Sequence, residues 1–159
     1  MKKIFLLFGL LTILLSACVK ETSKPTLQAT IDDEKIQKYI AANHIDSLTK
    51  DPSGLYYRII TQNPGPHPTV TDTIQVSYVG KLLNGSVFDT EGSFTAEMPD
   101  VIKGWQIGIP FVGVNGNAPY SRIRLIIPSG LAYGNSNQES GIPPNSVLDF
   151  TIDVEGFYN

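Results

Sequence analysis

"VLDFTIDVEGF" (residues 147–157) alternates without a slip. Leu148, Phe150, Ile152 and Val154 fall on one side, and Asp149, Thr151, Asp153 and Glu155 on the other. A period of two marks a strand that buries one face and wets the other. Antiparallel sheets accept that division, whereas parallel sheets are covered on both faces. The pattern recurs in "TIQVSYVGKLL" (73–83), with Ile74, Val76, Tyr78 and Leu82 in register and Gly80 between them. It recurs again in "SRIRLIIP" (121–128), where Ile123, Leu125 and Ile127 oppose Arg122 and Arg124. "LYYRII" (55–60) is a further strand candidate, and "SVFDT" (86–90) reads as a short return strand after the Asn84-Gly85 turn. "NPGPHP" (63–68) must be a loop, since its three prolines cannot donate to a ladder.

A sheet with one apolar face needs a cover. The helical candidate inside this region is "VIKGWQIGI" (101–109), which carries the only tryptophan, Trp105. The expected fold is therefore α+β: a curved antiparallel half-barrel wrapped around one short helix, over residues 51–159. The 14 glycines and 11 prolines suit such a turn-rich sheet. Upstream, Asp32 and Asp33 are N-cap candidates for "EKIQKYIAANHI", in which Ile36, Tyr39, Ile40 and Asn43 share helical spacing. An N-terminal helical segment is expected over 31–50, packed on the main domain.

The first residues carry a separate message. Lys2 and Lys3 precede an apolar run from Ile4 to Leu15, too short to span a bilayer comfortably, followed by Leu15-Ser16-Ala17-Cys18. The ending resembles a bacterial lipobox. That resemblance implies a signal peptide over 1–17, lipidation of Cys18, and a polar tether over 18–30. The implied location is the cell envelope, lipid-anchored to a bacterial membrane, the outer one being expected. A plain secretory signal with a chance cysteine is the alternative. Cys18 is the sole cysteine, so no intrachain disulfide forms.

Several chemistries are excluded. With a net charge of −3 the chain offers no basic surface for phosphates, so nucleic acid is not an expected partner. The sequence has no H-E-x-x-H, Walker or G-x-S-x-G pattern and no paired-cysteine metal motif. His44 and His67, the only histidines, sit in a helix candidate and a proline-rich loop. Ser129 follows a strand but has no base in sight. Any reaction here should need little proton transfer, and no metal or cofactor is implied.

What the sequence does supply is aromatic. Tyr78, Phe88, Phe94, Trp105, Tyr133 and Phe150 come from different elements, each beside a turn or a glycine. Together they would wall a cavity about the size of a proline ring. Each has a plainer reading: Trp105 as ordinary core, Tyr78 and Phe88 as sheet packing, Tyr133 as a turn aromatic, Asp89 as a turn-capping carboxylate in "FDTEG".

"VSYVGKLLNGSVFDT", "VIKGWQIGI", "IPSGLAYG" and "IPPNSVLDFTIDVEGF", in this order over about residues 53–159, resemble the FKBP-type peptidyl-prolyl cis–trans isomerases. The leading helix and "KDPSGLYYRII" resemble lipoprotein members from Bacteroidetes-like bacteria. The resemblance implies rotation about X–Pro bonds in folding envelope proteins. Tyr78, Asp89, Ile102 and Tyr133 would act on the amide and its neighbours, the last two by a backbone N–H and a hydroxyl. Phe88, Phe94, Val101, Trp105, Ile142 and Phe150 would hold the proline, with Trp105 as the floor. Implied partners are proline-containing polypeptides and the family's macrolide inhibitors, and a monomer is expected. Two departures bear on rate and substrate preference: only four residues separate Asp89 from Phe94, and "FVGVNGNAPYSR" (111–122) is long enough for an extra loop over one edge. Ala96 also stands where many members carry a second phenylalanine. These departures motivate the alternative of a non-catalytic chaperone or peptide-binding module using the same groove.

Overall fold

The structure, a computed structural model, describes residues 27–115, 119–136 and 141–159. Helix α1 spans Leu27–Ala42 and helix α2 Lys103–Gly108. The strands are β1 Thr49–Lys50, β2 Tyr56–Thr61, β3 Thr73–Leu82, β4 Val87–Glu97, β5 Ser121–Ile127 and β6 Leu148–Tyr158. They form one antiparallel sheet in the order β1-β2-β5-β6-β3-β4. This is the α+β half-barrel that the alternating segments imply, with α2 against its inner face.

The inner face holds the main core. Ile74 and Val76 of β3, Ile123, Leu125 and Ile127 of β5, and Leu148, Ile152 and Val154 of β6 are fully buried there. Helix α2 lies unusually close to this layer because its facing positions are glycines one turn apart. A Cβ on Gly104 would stand 2.5 Å from Ile127 Cγ2, and one on Gly108 2.6 Å from Leu125 Cδ2. A larger residue at either position forces Ile127, Leu125 or the helix to shift.

The outer face is only partly solvated. Arg122 pairs with Asp153 through both Nε and Nη2, and Arg124 with Asp149 in the same two-pronged way. Over the rest lies α1: Ile36, Tyr56, Ile126 and Val147 make a second, smaller core, with Tyr39 and Ile40 against it. The sequence places Ile126 on the polar side of β5, and α1 is what makes an apolar residue tolerable there.

Three expectations need correction. The N-terminal helix begins at Leu27 and ends at Ala42, so it is shifted from 31–50, and Thr49–Lys50 is strand. Asp32 is therefore inside the helix and fully buried, not capping it. Its carboxylate is held by tertiary hydrogen bonds to Ser129, which override the poor helix propensity of aspartate. Third, the return strand is not short. β4 runs eleven residues, and "FDTEG" lies within it rather than in a turn, because the β3 ladder continues to Glu97.

Where it is described, the long segment 111–122 packs against the proline-rich loop. Val114 N–H donates to Pro66 O at 2.9 Å and Asn115 Nδ2 to Pro64 O at 2.5 Å. The buried Ser121 hydroxyl donates to Gly113 O, and Asn63 N–H donates to Ser121 Oγ. The segment thus lies against the proline-rich loop, where the connections entering β3 and β5 meet. The signal and lipidation readings, including Cys18 and most of the tether, lie outside the described residues.

Candidate functional site

A cleft of about 300 Å³ opens on the inner side of the sheet, lined by Tyr78, Asp89, Phe94, Asp100, Val101, Ile102, Trp105, Tyr133 and Phe150. Its floor is Trp105, buried on the first turn of α2. The rings meet edge to face. Tyr78 stands 5.0 Å from Trp105 at 79°, Phe150 stands 5.2 Å from it at 85°, and Phe94 lies 6.3 Å away at 86°. This is the favoured quadrupole arrangement, and it fixes ring positions before any ligand arrives. Trp105 Nε1 is buried without a hydrogen-bond partner among the described residues.

One wall of the cleft depends on an irregularity. Asp89 and Phe94 are five positions apart on β4, so a regular strand would point them to opposite faces. The register shifts between Val76 and Tyr78, where Phe94 pairs with Val76 but Glu91 with Tyr78. The bulge lets both residues line the cleft. A second shift, between Gly80 and Lys81, falls at Phe88.

The polar groups are few. Tyr78 Oη donates to Asp89 Oδ2 at 2.7 Å. Burial pushes the Tyr78 phenol well above its ordinary value, and the bond to Asp89 and that carboxylate's charge push the same way. Tyr133 is raised by burial and then by the charge of Asp89. Both hydroxyls are therefore neutral donors at any physiological pH. Ile102 caps α2, and its carbonyl accepts the N–H groups of Trp105 and Gln106. Its own N–H precedes the helical ladder. Gln106 reaches back, its Nε2 donating to Val101 O at 2.7 Å and Pro99 O at 3.2 Å, which pins the segment bearing Val101 and Ile102.

Eight of the ten expected site residues line the cleft together. Phe88 and Ile142 do not. Phe88 stands edge-on to Phe150 at 5.5 Å and 88°, in the space left by Gly80, where a Cβ would come within 2.7 Å of both rings. It stands half-buried against the wall residue Phe150. Ile142 is buried in the main core. Sequence reasoning missed Asp100, which lines the cleft, and Gln106, which braces it. Both lie in or beside "VIKGWQIGI", but an exposed acid and a helical glutamine give no signal of their own.

Comparison with known proteins points one way. A family model for the FKBP-type peptidyl-prolyl cis-trans isomerase matches residues 65–155. The chain is 36% identical over 122 residues to the FKBP-type 22 kDa peptidyl-prolyl cis-trans isomerase of Escherichia coli, covering 74% of this chain and 57% of that one. It is 31% identical over 137 residues to the FKBP-type peptidyl-prolyl cis-trans isomerase FkpA of Aeromonas hydrophila, covering 83% and 49%. Among solved structures, FkpA from Escherichia coli superposes with a TM-score of 0.69 at 29% identity, over 81% of this chain and 60% of that one. The chain thus spans about half the length of these curated relatives.

Proposed function

Because this chain belongs to the FKBP-type peptidyl-prolyl cis-trans isomerase family, we propose that its aromatic cleft accelerates rotation about X–Pro bonds. The observation that carries the reading is the convergence of Tyr78, Phe94, Trp105 and Phe150 around one open, ring-floored cleft with two neutral phenol donors. The barrier to rotation is about 18–20 kcal/mol because twisting the amide breaks its resonance. No bond is cleaved and no proton moves. A site catalyses this by holding the twisted amide better than either planar form. Loss of resonance reduces the amide's charge separation, so a dry apolar wall favours the twisted state over the planar ones. Trp105 supports the prolyl ring, and Phe94, Val101 and Phe150 exclude water. The Ile102 N–H and the Tyr133 hydroxyl hold substrate carbonyls on either side of the bond. Asp89, fixed by Tyr78, faces the carbonyl that swings.

The substrates are proline-containing polypeptides, and the family's macrolides would compete for the same floor. In this reading the chain acts as a monomer. The lipobox-like Leu15-Ser16-Ala17-Cys18 supports a lipoprotein, and the leading helix with "KDPSGLYYRII" supports one of the Bacteroidetes kind, with lipid on Cys18 anchoring the domain to an envelope membrane, the outer one by this reading, near unfolded clients. Cys18→Ser should abolish incorporation of labelled fatty acid and release the protein from membranes. The isomerase reading is tested on a tetrapeptide with one X–Pro bond, by NMR exchange or a coupled protease assay. Faster exchange that is blocked by a macrolide is expected. A rate equal to the uncatalysed one at micromolar protein would refute it.

A further inference from the structure

Asp32 is a fully buried carboxylate in the middle of α1. Burying a charge is unfavourable unless its oxygens are hydrogen-bonded, so its partners show what it is for. Oδ2 accepts from Ser129 N at 2.9 Å and from Ser129 Oγ at 2.6 Å. Oδ1 accepts from Gln28 Nε2 at 2.8 Å and lies 3.6 Å from Lys35 Nζ. Ser129 opens the 3₁₀ turn Ser129–Leu131, and its carbonyl accepts the N–H of Ala132 at 3.0 Å and of Gly134 at 2.8 Å. Those two residues flank Tyr133.

A second line starts one turn further along α1. Lys35 Nζ donates to Asn145 O at 3.3 Å. Asn145 N–H donates to Gly134 O at 2.7 Å, and its Nδ2 to Asn135 Oδ1 at 3.3 Å. Asn145 holds a φ of 57°, in the left-handed region that few residues other than glycine adopt. The N–H groups of Ala132 and Gly134, on either side of Tyr133, are thus tied through Ser129 to Asp32, and the Gly134 carbonyl through Asn145 to Lys35, on one face of α1.

We propose that α1 clamps the turn bearing Tyr133, and that Asp32 is a positioning residue of the cleft, acting through Ser129. The proposal rests on the isomerase reading for its effect on rate, but not for its effect on structure. A cleft whose donor hydroxyl hangs on a short turn gains rate when that turn is held still. The clamp reaches it from the opposite side of the sheet without touching substrate.

The test uses the full chain with Asp32→Ala, Asp32→Asn and Lys35→Met, each alone and with Tyr133→Phe. Asp32→Ala should lower kcat/KM about tenfold, mainly through kcat, and less than twofold once Tyr133 is replaced. Asp32→Asn keeps an acceptor oxygen for Ser129 and should recover most of the loss. Amide hydrogen exchange gives a readout independent of activity: exchange at Ala132 and Gly134 should speed up at least tenfold in Asp32→Ala, with β3 and β6 unchanged. If Asp32→Ala does not fold, Lys35→Met, which leaves the buried carboxylate in place, should speed exchange at Asn145, whose N–H donates to Gly134 O, two- to threefold. An equal activity loss with and without the Tyr133 hydroxyl, or unchanged exchange in the turn, overturns the clamp. If no wild-type isomerisation is seen but the turn loosens, the isomerase reading fails and the clamp stands.

Discussion

Gly104→Ala probes the contact that places Trp105. The added Cβ would lie 2.5 Å from Ile127 Cγ2, 2.8 Å from Cδ1 and 3.0 Å from Cγ1. All three atoms belong to one fully buried, β-branched side chain, which has little freedom to turn away. Overpacking of this kind costs about 1–3 kcal/mol. Alanine is the better helix former by about 1 kcal/mol, which offsets part of that. The expected net loss is therefore about 1 kcal/mol, or about 4 °C in Tm for a domain of this size. The strain should be relieved by helix displacement, so the mutation should also shift the Trp105 emission and weaken proline-peptide binding. Urea unfolding measures the first effect and fluorescence titration the second. The control is Ile127→Ala, which removes the opposing atoms. In that background Gly104→Ala should be neutral or stabilising. A loss of the same size in both backgrounds would refute the close-packing argument, as would a plain gain in stability in the wild-type background.

Tyr78→Phe removes the hydrogen bond to Asp89, which is exposed, so stability should fall by only about 1 kcal/mol while kcat/KM drops several-fold. An unchanged rate would show that Asp89 needs no fixing. Arg124→Met leaves the buried Asp149 with the Tyr39 hydroxyl as its one side-chain partner among the described residues, and should cost about 2–4 kcal/mol in urea unfolding. Arg122→Met, at a more exposed pair, should cost about 1 kcal/mol or less, and equal costs would contradict the burial argument. Tyr39, Tyr56, Tyr78 and Tyr133 are all raised above 10.0 in the folded chain, chiefly by burial. Their contribution to stability is complete below pH 10 and is lost as pH rises beyond it, because the unfolded chain ionises first. Unfolding free energy should fall above pH 10, and Tyr78→Phe should make that fall shallower. An identical slope in the variant would count against the assignment.

The sequence by itself determined the sheet, the covering helix and most of the cleft. Alternation in 147–157, 121–128 and 73–83 is a local property of the chain, and it survives folding because each strand must bury one face whatever its neighbours are. Trp105 was legible as the lone tryptophan of the covering helix, whereas Val101 and Ile102, which precede that helix, came only with the resemblance to the FKBP-type family. Tertiary structure decided the rest. Strand parity alone would send Asp89 and Phe94 to opposite faces, and only the bulge against β3 brings them together. Phe88 reads like a wall residue, and the space at Gly80 seats it edge-on to Phe150. Asp32 reads like a helix cap until Ser129, 97 positions away, claims its carboxylate. Periodicity records which face of an element is wet. It holds no record of which distant donor will meet a buried oxygen, or where a ladder gains a residue, because those are settled only when the elements pack.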